Sequence, residues 1–209
     1  GEKNPRNYAN LFPSAHFTYT ITPDNSFQLS YSRRVRRPTY NDLSPFVTLS
    51  DNRNFFSGNP NLNPEFTNSF DLGHLKYFDQ GSISSSLYYR QTFGKIERFR
   101  TVDSLGFSKT LPANLTDQQS MGIEVASSWS FTKSYKADLS FNAFRAITDA
   151  SNINAAYKSD TYSWFVRHSS RIKIGATDFQ IRANYEAPQL TPQGSRGYMA
   201  WMDLSASKD

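Results

Sequence analysis

The chain has 209 residues, 15% of them aromatic, no cysteine and a formal net charge of +5, with a mean hydropathy of −0.63. No apolar run approaches the roughly 18 residues that a membrane-crossing helix needs, so helical spanning is excluded. The missing cysteines exclude a disulfide framework and a thiolate metal site, and the basic residues are scattered among acidic ones instead of forming a nucleic-acid-binding run.

Aromatic wealth beside abundant Ser, Asn, Thr and Arg suits a sheet with two unlike faces. The recurring signal is period-two alternation. In the first run Ala15, Phe17, Tyr19 and Ile21 share one face and Ser14, His16, Thr18 and Thr20 the other. Thr22-Pro23-Asp24-Asn25 reads as a tight turn, and Phe27, Leu29 and Tyr31 then restore the phase against Gln28, Ser30 and Ser32, which predicts a hairpin. From Pro38 to Pro64 the alternation stops, and Pro45, Gly58, Pro60 and several asparagines predict a long irregular loop that is neither strand nor stable helix.

Phe66, Phe70 and Leu72 resume the pattern, and its phase break near Gly73 predicts a bulge that moves Leu75 and Tyr77 onto the first face. After the turn Phe78-Asp79-Gln80-Gly81, residues Ile83, Leu87, Tyr89 and Phe93 alternate with Ser82, Ser84, Ser86 and Arg90. The less regular stretch from Gly94 to Gln119 is expected to extend this strand beyond the membrane. Met121, Ile123, Val125, Trp129 and Phe131 follow, opposed by Gly122, Glu124, Ala126, Ser128 and Ser130. Thr132-Lys133-Ser134 turns into Tyr135, Ala137, Leu139 and Phe141, and a longer connection around Asp149 to Asp160 leads to Tyr162, Trp164, Val166, Ile172 and Ile174. Gly175-Ala176-Thr177 turns into Phe179, Ile181, Ala183 and Tyr185, Pro188, Pro192 and Gly194 mark another long loop, and Tyr198, Ala200, Met202 and Leu204 close a count of about nine strands.

The connections alternate short, long, short, long, which puts all short turns at one end of an up-and-down meander and all long loops at the other. Outer-membrane barrels have that asymmetry. The fold class is therefore all-β, a partial transmembrane β-barrel. The polar face suits a wet lumen, and Tyr19, Phe27, Phe131, Tyr135 and Phe179 near the short turns suit an interfacial girdle. A soluble β-sandwich or β-barrel ligand-binding module is the alternative, since soluble sheets also alternate.

Two strings carry a family likeness. Ser30-Tyr31-Ser32-Arg33-Arg34-Val35-Arg36-Arg37-Pro38 ends a strand, and Gly58-Asn59-Pro60-Asn61-Leu62-Asn63-Pro64-Glu65 opens the next. With Leu11-Phe12-Pro13-Ser14, Gly122-Ile123-Glu124 and Pro192-Gln193-Gly194 in their order, the chain resembles the C-terminal β-barrel region of TonB-dependent receptors. The resemblance implies the outer membrane of a Gram-negative bacterium, uptake of a large scarce nutrient such as an iron chelate, oligosaccharide or peptide, and energy delivered through the TonB system. It also implies a plug domain and closing strands that residues 1–209 do not contain, so that the chain, from Gly1 to Asp209, reads as one excised segment of a larger barrel, open to self-association through unpaired edges.

Among candidate sites the arginine cluster is densest. Alternation sends Arg34 and Arg36 toward the lumen and Arg33 and Arg37 toward lipid, as candidates for contacts with plug carboxylates and lipid phosphates respectively, with a solvated strand extension above the membrane as the alternative. Tyr40, Phe46, Phe55 and Phe56 in the first long loop are candidates for a ligand rim, with packing of the loops against one another over the barrel mouth as the alternative. His16, His74 and His168 sit singly on separate expected strands, so neither a metal centre nor a cofactor is expected. No spacing sets a Ser beside a His and an oxyanion donor, so the expectation is not an enzyme, with a barrel hydrolase as the distant competitor.

Overall fold

The computed structural model describes residues 10–49 and 51–208; Gly1 and Asp209, the ends of the expected excised segment, lie outside the described residues. In chain order its elements begin with β1 (Ser14–Thr22), β2 (Asn25–Arg36), α1 (Tyr40–Leu43), β3 (Val47–Leu49), β4 (Asn54–Ser57), β5 (Glu65–Phe78), β6 (Gly81–Phe93), β7 (Ile96–Val102) and β8 (Ser108–Asn114). They continue with β9 (Asp117–Thr132), β10 (Tyr135–Asp149), β11 (Lys158–Ile174), β12 (Thr177–Glu186), β13 (Gln189–Thr191), β14 (Gly194–Arg196) and β15 (Met199–Lys208).

Nine of these form one antiparallel sheet in the order β1-β2-β5-β6-β9-β10-β11-β12-β15, an up-and-down meander that does not close. Register carries one face across the whole sheet: Phe17 lies opposite Leu29, Leu29 opposite Leu72, Leu72 opposite Leu87 and Leu87 opposite Ile123. Phe27, Leu29 and Tyr31 thus share a face with Phe17 and Tyr19, as expected, because a slip by one residue would mix the two environments. The opposite face carries Ser86, Glu124 and Asn142 in one row and Ser84, Ala126, Ser140, Arg167 and Asn184 in another. The apolar side chains are not gathered into a closed core: Leu29, Leu87, Leu139 and Ile181 remain 55%, 56%, 45% and 39% exposed. A self-contained sandwich would have buried all four. This wall instead offers its apolar side to lipid and its polar side to a lumen.

The short turns explain themselves locally. Thr22 donates to Asp24 at 2.6 Å, Lys76 of β5 forms an ion pair with Asp24, and the Tyr77 amide donates to the Asp24 carbonyl at 2.8 Å. The hydrogen bonds from Lys76 and then Thr22 hold the Asp24 carboxyl down at about 2. At the next turn but one, the Thr132 hydroxyl accepts from the amides of Ser134 and Tyr135 at 3.2 and 2.9 Å. Gly175 turns β11 into β12 with φ of +61°, which glycine adopts without a Cβ clash. Above these turns runs a file of rings, Phe78 on Trp129 at 5.4 Å, Trp129 on Phe131 at 6.1 Å and Phe131 on Tyr135 at 5.3 Å, all stacked. The file lies near the short turns, where the girdle is expected, and joins Phe78 and Trp129 to the predicted Phe131 and Tyr135.

Three expectations need correction. No bulge occurs at Gly73: β5 pairs with β6 in unbroken register from Phe66–Phe93 to Phe78–Gly81, so Leu75 and Tyr77 face Ser84 and Ser82 on the lumenal side, and His74 and Lys76 face outward. The loop at 38–64 is not irregular throughout, since it holds one helical turn, α1, and the strands β3 and β4. The stretch from Gly94 to Gln119 does not prolong β6; Gly94 at φ +62° breaks the strand, and β7 and β8 form a hairpin in a second sheet of order β3-β4-β8-β7. That sheet exists because Asn54, Phe55 and Phe56 pair in parallel with Ser108, Lys109 and Thr110.

Candidate functional site at the long-loop end

The long connections at 37–64, 94–116, 150–157 and 187–198 all leave the same end of the main sheet. Each of the two hairpins in the second sheet is closed by an aspartate. Asp51 accepts from the amides of Arg53 and Asn54 at 2.8 and 2.9 Å, and Asp103 accepts from those of Leu105 and Phe107, both at 2.9 Å. The backbone amide of Arg53, with the Asn54 side chain, keeps the Asp51 carboxyl below its ordinary range.

Contacts between loops then build one cap. Thr39 and Asp42 form a capping box around α1, with the Asp42 amide donating to the Thr39 hydroxyl at 3.2 Å and the Thr39 amide and hydroxyl donating to the Asp42 carboxylate at 3.1 and 2.7 Å. The other carboxylate oxygen takes Arg98 of β7 at 3.3 Å, and the Arg98 guanidinium lies 4.9 Å over the Phe56 ring. Thr39, seconded by Arg98, holds the Asp42 carboxyl below the usual carboxylate range. Asn54 accepts from Arg100 at 2.6 Å and from the Ser108 hydroxyl.

The string Gly58 to Glu65 is the seam of this cap. A Cβ on Gly58 would stand 2.5 to 2.7 Å from the carbonyl oxygens of Ser44, Asn41 and Asp42, so only glycine fits. Asn59 donates to the Pro112 carbonyl at 3.2 Å, Leu62 is 1% exposed, and Asn63 and Asn114 exchange hydrogen bonds at 2.8 and 2.9 Å. Glu65 accepts from the Ile96 amide at 2.9 Å and pairs with Arg36 at 3.0 Å, while Arg36 also donates to the Ile96 carbonyl at 3.2 Å. The third loop adds Tyr157, stacked on Phe99 at 5.5 Å, and Asn152, donating to the Asn114 carbonyl at 2.8 Å. The fourth adds Gln193: the Arg100 amide donates to its side-chain oxygen at 2.9 Å, and its nitrogen donates to the Arg100 carbonyl at 3.0 Å and to the Tyr157 hydroxyl at 3.1 Å. Phe99, Leu115 and Ala150 are the small apolar core beneath. Under the cap a cavity of about 220 Å³ lies between Lys95, Glu97, Gln118 and Thr148 on one side and Gln189 to Gln193 on the other.

The predicted site residues divide. Tyr40 and Phe46 stand 80% and 74% exposed on the cap, whereas Phe55 packs on Phe107 at 5.8 Å and Phe56 lies beneath Arg98. Arg36 is engaged with Glu65 at the foot of the cap. Arg33 shares the outward face with Tyr31, lies 5.4 Å over the Phe66 ring, and its Nε is enclosed with no protein acceptor. Arg34 is exposed on the lumenal face, and Arg37 is exposed beyond the end of β2. His16, His74 and His168 lie on β1, β5 and β11, the first facing the lumen and the other two outward. The sequence reading missed Asp42, Arg98, Asn114 and Tyr157, and held Gln193 only as part of the Pro192-Gln193-Gly194 string, with no role at the site. Only Asp42 carried a local signal, the Thr-x-x-Asp spacing of a capping box.

The lumenal wall is a second concave surface, a groove of about 440 Å³ lined by Asp138, Ser140, Arg167, Arg182, Asn184 and Trp201 among small serines. Its charges fit a wet or protein-filled interior.

No curated protein sequence matches the chain. Among solved structures it is similar to the siderophore receptor PirA from Pseudomonas aeruginosa, with a TM-score of 0.67 at 12% identity over 96% of this chain and 36% of that one. It is similar also to the ferric yersiniabactin uptake receptor FyuA from Yersinia pestis (TM-score 0.65, 16% identity, 94% and 29% covered) and to the copper transporter OprC (0.63, 17%, 92% and 30%). The chain spans about a third of the length of each, and at such identities the likeness is one of fold. The model of the Outer membrane protein beta-barrel family matches residues 1–209 from end to end. With an apolar outer wall, a polar inner wall, short turns at one end and a locked cap at the other, this chain belongs to that family, and its nine-stranded sheet is an open arc of a barrel in the outer membrane.

Proposed function

We propose that the chain forms part of the wall and the outer cap of a receptor that takes up a large, scarce nutrient, an iron chelate, oligosaccharide or peptide, and performs no catalysis. The observation that carries this reading is the cap itself, four long loops tied into one body above a polar lumenal wall. A loop set held this firmly presents fixed side chains to a ligand instead of sweeping solvent. Tyr40 and Phe46 form the exposed rim in this reading, and Phe55 and Phe56 support it from within the cap. Similar structures that are a siderophore receptor, a ferric yersiniabactin uptake receptor and a copper transporter support uptake as the activity class. The edges β1 and β15 take the remaining strands of the parent barrel, Arg34 and the lumenal charges face a plug domain, and the TonB system supplies the energy.

The test is a titration of the complete receptor, extracted from outer membranes, with ferric chelates, oligosaccharides and peptides. One class should bind, and Tyr40→Ala with Phe46→Ala should weaken it about tenfold or more, as loss of exposed aromatic anchors does. Binding by none of them, or ester or peptide hydrolysis abolished by a single Ser substitution, would overturn the reading.

A further inference from the structure

On the outward wall, register sets Met121, Arg145 and Tyr162 in one row across β9, β10 and β11, and Ile123, Ala143 and Trp164 in the next. Ala143 is much the smallest of the six, so a groove opens over its methyl group. Those six side chains line a concavity of about 550 Å³ on the side of the sheet that faces lipid.

The groove ends under a fixed cation. Arg145 donates from Nε and Nη2 to the two carboxylate oxygens of Asp160 at 2.9 and 2.6 Å, and its guanidinium lies 5.4 Å over the Tyr162 ring. Two of its five N–H donors are thereby used and the plane of the fork is set, leaving three donors for an outside acceptor. Lys158 lies on the same face two residues before Asp160, held 3.5 Å from Asp149; Asp117, opposite Asp149 in that row, is held by the side-chain amides of Gln91 and Gln119 instead of a cation.

Depth follows from the strand. Tyr135 of the short-turn girdle and Arg145 lie on one face of β10. At about 3.3 Å per residue and a tilt near 40°, that separation is about 25 Å, the height of an outer-membrane apolar band. Arg145 therefore stands at headgroup level on the long-loop side, which is the outer leaflet, and the groove over Ala143 begins at the acyl-chain level beneath it.

We propose that this groove binds an acylated lipid with a phosphorylated headgroup, one acyl chain lying over Ala143 between Ile123 and Trp164 and the phosphate accepting from the Arg145 guanidinium. Asp160 and the Tyr162 ring position the guanidinium for that contact. An apolar trough in a wall already surrounded by lipid gains specificity only through its charged end, so the phosphate decides which lipid stays.

The test uses the full chain extracted from outer membranes in mild detergent. Native mass spectrometry follows retention of diphosphoryl lipid A, or of the same lipid with both phosphates removed. The unaltered protein should hold the phosphorylated form about tenfold more tightly, the worth of one charge-assisted contact. Arg145→Gln should erase that preference and leave weak binding of both lipids, whereas Ala143→Trp should weaken both, and Ala143→Leu, which fills the groove with less bulk, should fall between. Circular dichroism and Trp emission establish that each variant is folded. Equal retention of the two lipids by the unaltered protein, undiminished retention by folded Arg145→Gln or Ala143→Trp, or displacement of the lipid by an equal concentration of inorganic phosphate would overturn the proposal.

Discussion

Asp42 accepts two hydrogen bonds from Thr39 on its own loop and an ion pair from Arg98 on the next, while its backbone carbonyl takes the Asn59 amide at 2.6 Å. One residue thus ties the helical turn α1 and the edge strand β7 through its carboxylate and the Gly58 seam through its carbonyl. Its pKa is displaced downward by those donors, Thr39 first. A carboxyl whose pKa is depressed by folding adds stability above its unfolded value, about 3.9, and loses that contribution as pH falls through the folded value. Hydrogen exchange at the Gly58 and Asn59 amides, corrected for the intrinsic rate, should therefore stay protected at neutral pH and down to about pH 4, then weaken in more acid solution. Asp42→Asn should reduce that protection at neutral pH by about 1.5–3 kcal/mol, the range for a hydrogen bond to a charged group, and remove the acid dependence. Identical protection in the two proteins would mean that the cap is held by its backbone pairs alone.

The spanning strands were legible because each must keep one face in lipid and the other in a wet lumen, which writes period two into eight or more consecutive residues. Strands in the cap obey no such rule. Val47-Thr48-Leu49 is wholly exposed, and β4 pairs in parallel with β8 from a distant loop, so nothing in either segment alone announces a strand. The same distance hid the site: Arg98 meets Asp42 across 56 positions and Gln193 meets Arg100 across 93. Tyr40 and Phe46, recognisable as loop aromatics, did prove to be exposed, but Phe55 and Phe56 were not distinguishable from them without the sheet that packs them. The expected bulge at Gly73 failed for a different reason. Leu75 and Tyr77 looked as though they must reach lipid, yet His74 and Lys76 occupy the outward face, His74 hydrogen-bonded to Asn25 at 2.8 Å and Lys76 to Asp24, because near the short turns polar side chains can reach partners at the membrane surface. Gln193 offers a test at this scale. Its side chain serves the edge of β7 as one residue of an extra strand would, so Gln193→Ala should speed exchange of the Arg100 amide by about tenfold while amides of the spanning strands keep their protection. If Arg100 exchanges at the same rate in both proteins, the fourth loop is not latched in solution.

At the scale of the whole wall, the assignment of its two faces rests on register, since a single sheet leaves both faces open and exposure alone does not say which one meets lipid. Leu87 and Ser86 are neighbours on β6 that register separates: Leu87 stands between Leu72 and Ile123, and Ser86 between Gly73 and Glu124. An arginine at the lipid-facing position has to leave water or pull water in, at about 2–4 kcal/mol near the midplane. An arginine at position 86 would meet the lumen and the Glu124 carboxylate across the strand pair, an opposite-charge arrangement that costs little or adds a few tenths of a kcal/mol. On a soluble sheet an exposed Leu→Arg change would also be nearly neutral, within about 0.5 kcal/mol, so the two architectures part at one residue. Urea titration of the complete barrel in lipid vesicles, followed by Trp emission, should show Leu87→Arg lowering the folding free energy by about 2–4 kcal/mol and Ser86→Arg leaving it nearly unchanged. Because the two positions are adjacent, strand propensity, distance from the turns and depth along β6 are almost the same in both variants, and only the face differs. A neutral Leu87→Arg would take lipid away from that face, and a costly Ser86→Arg would replace the wet lumen with a packed interior.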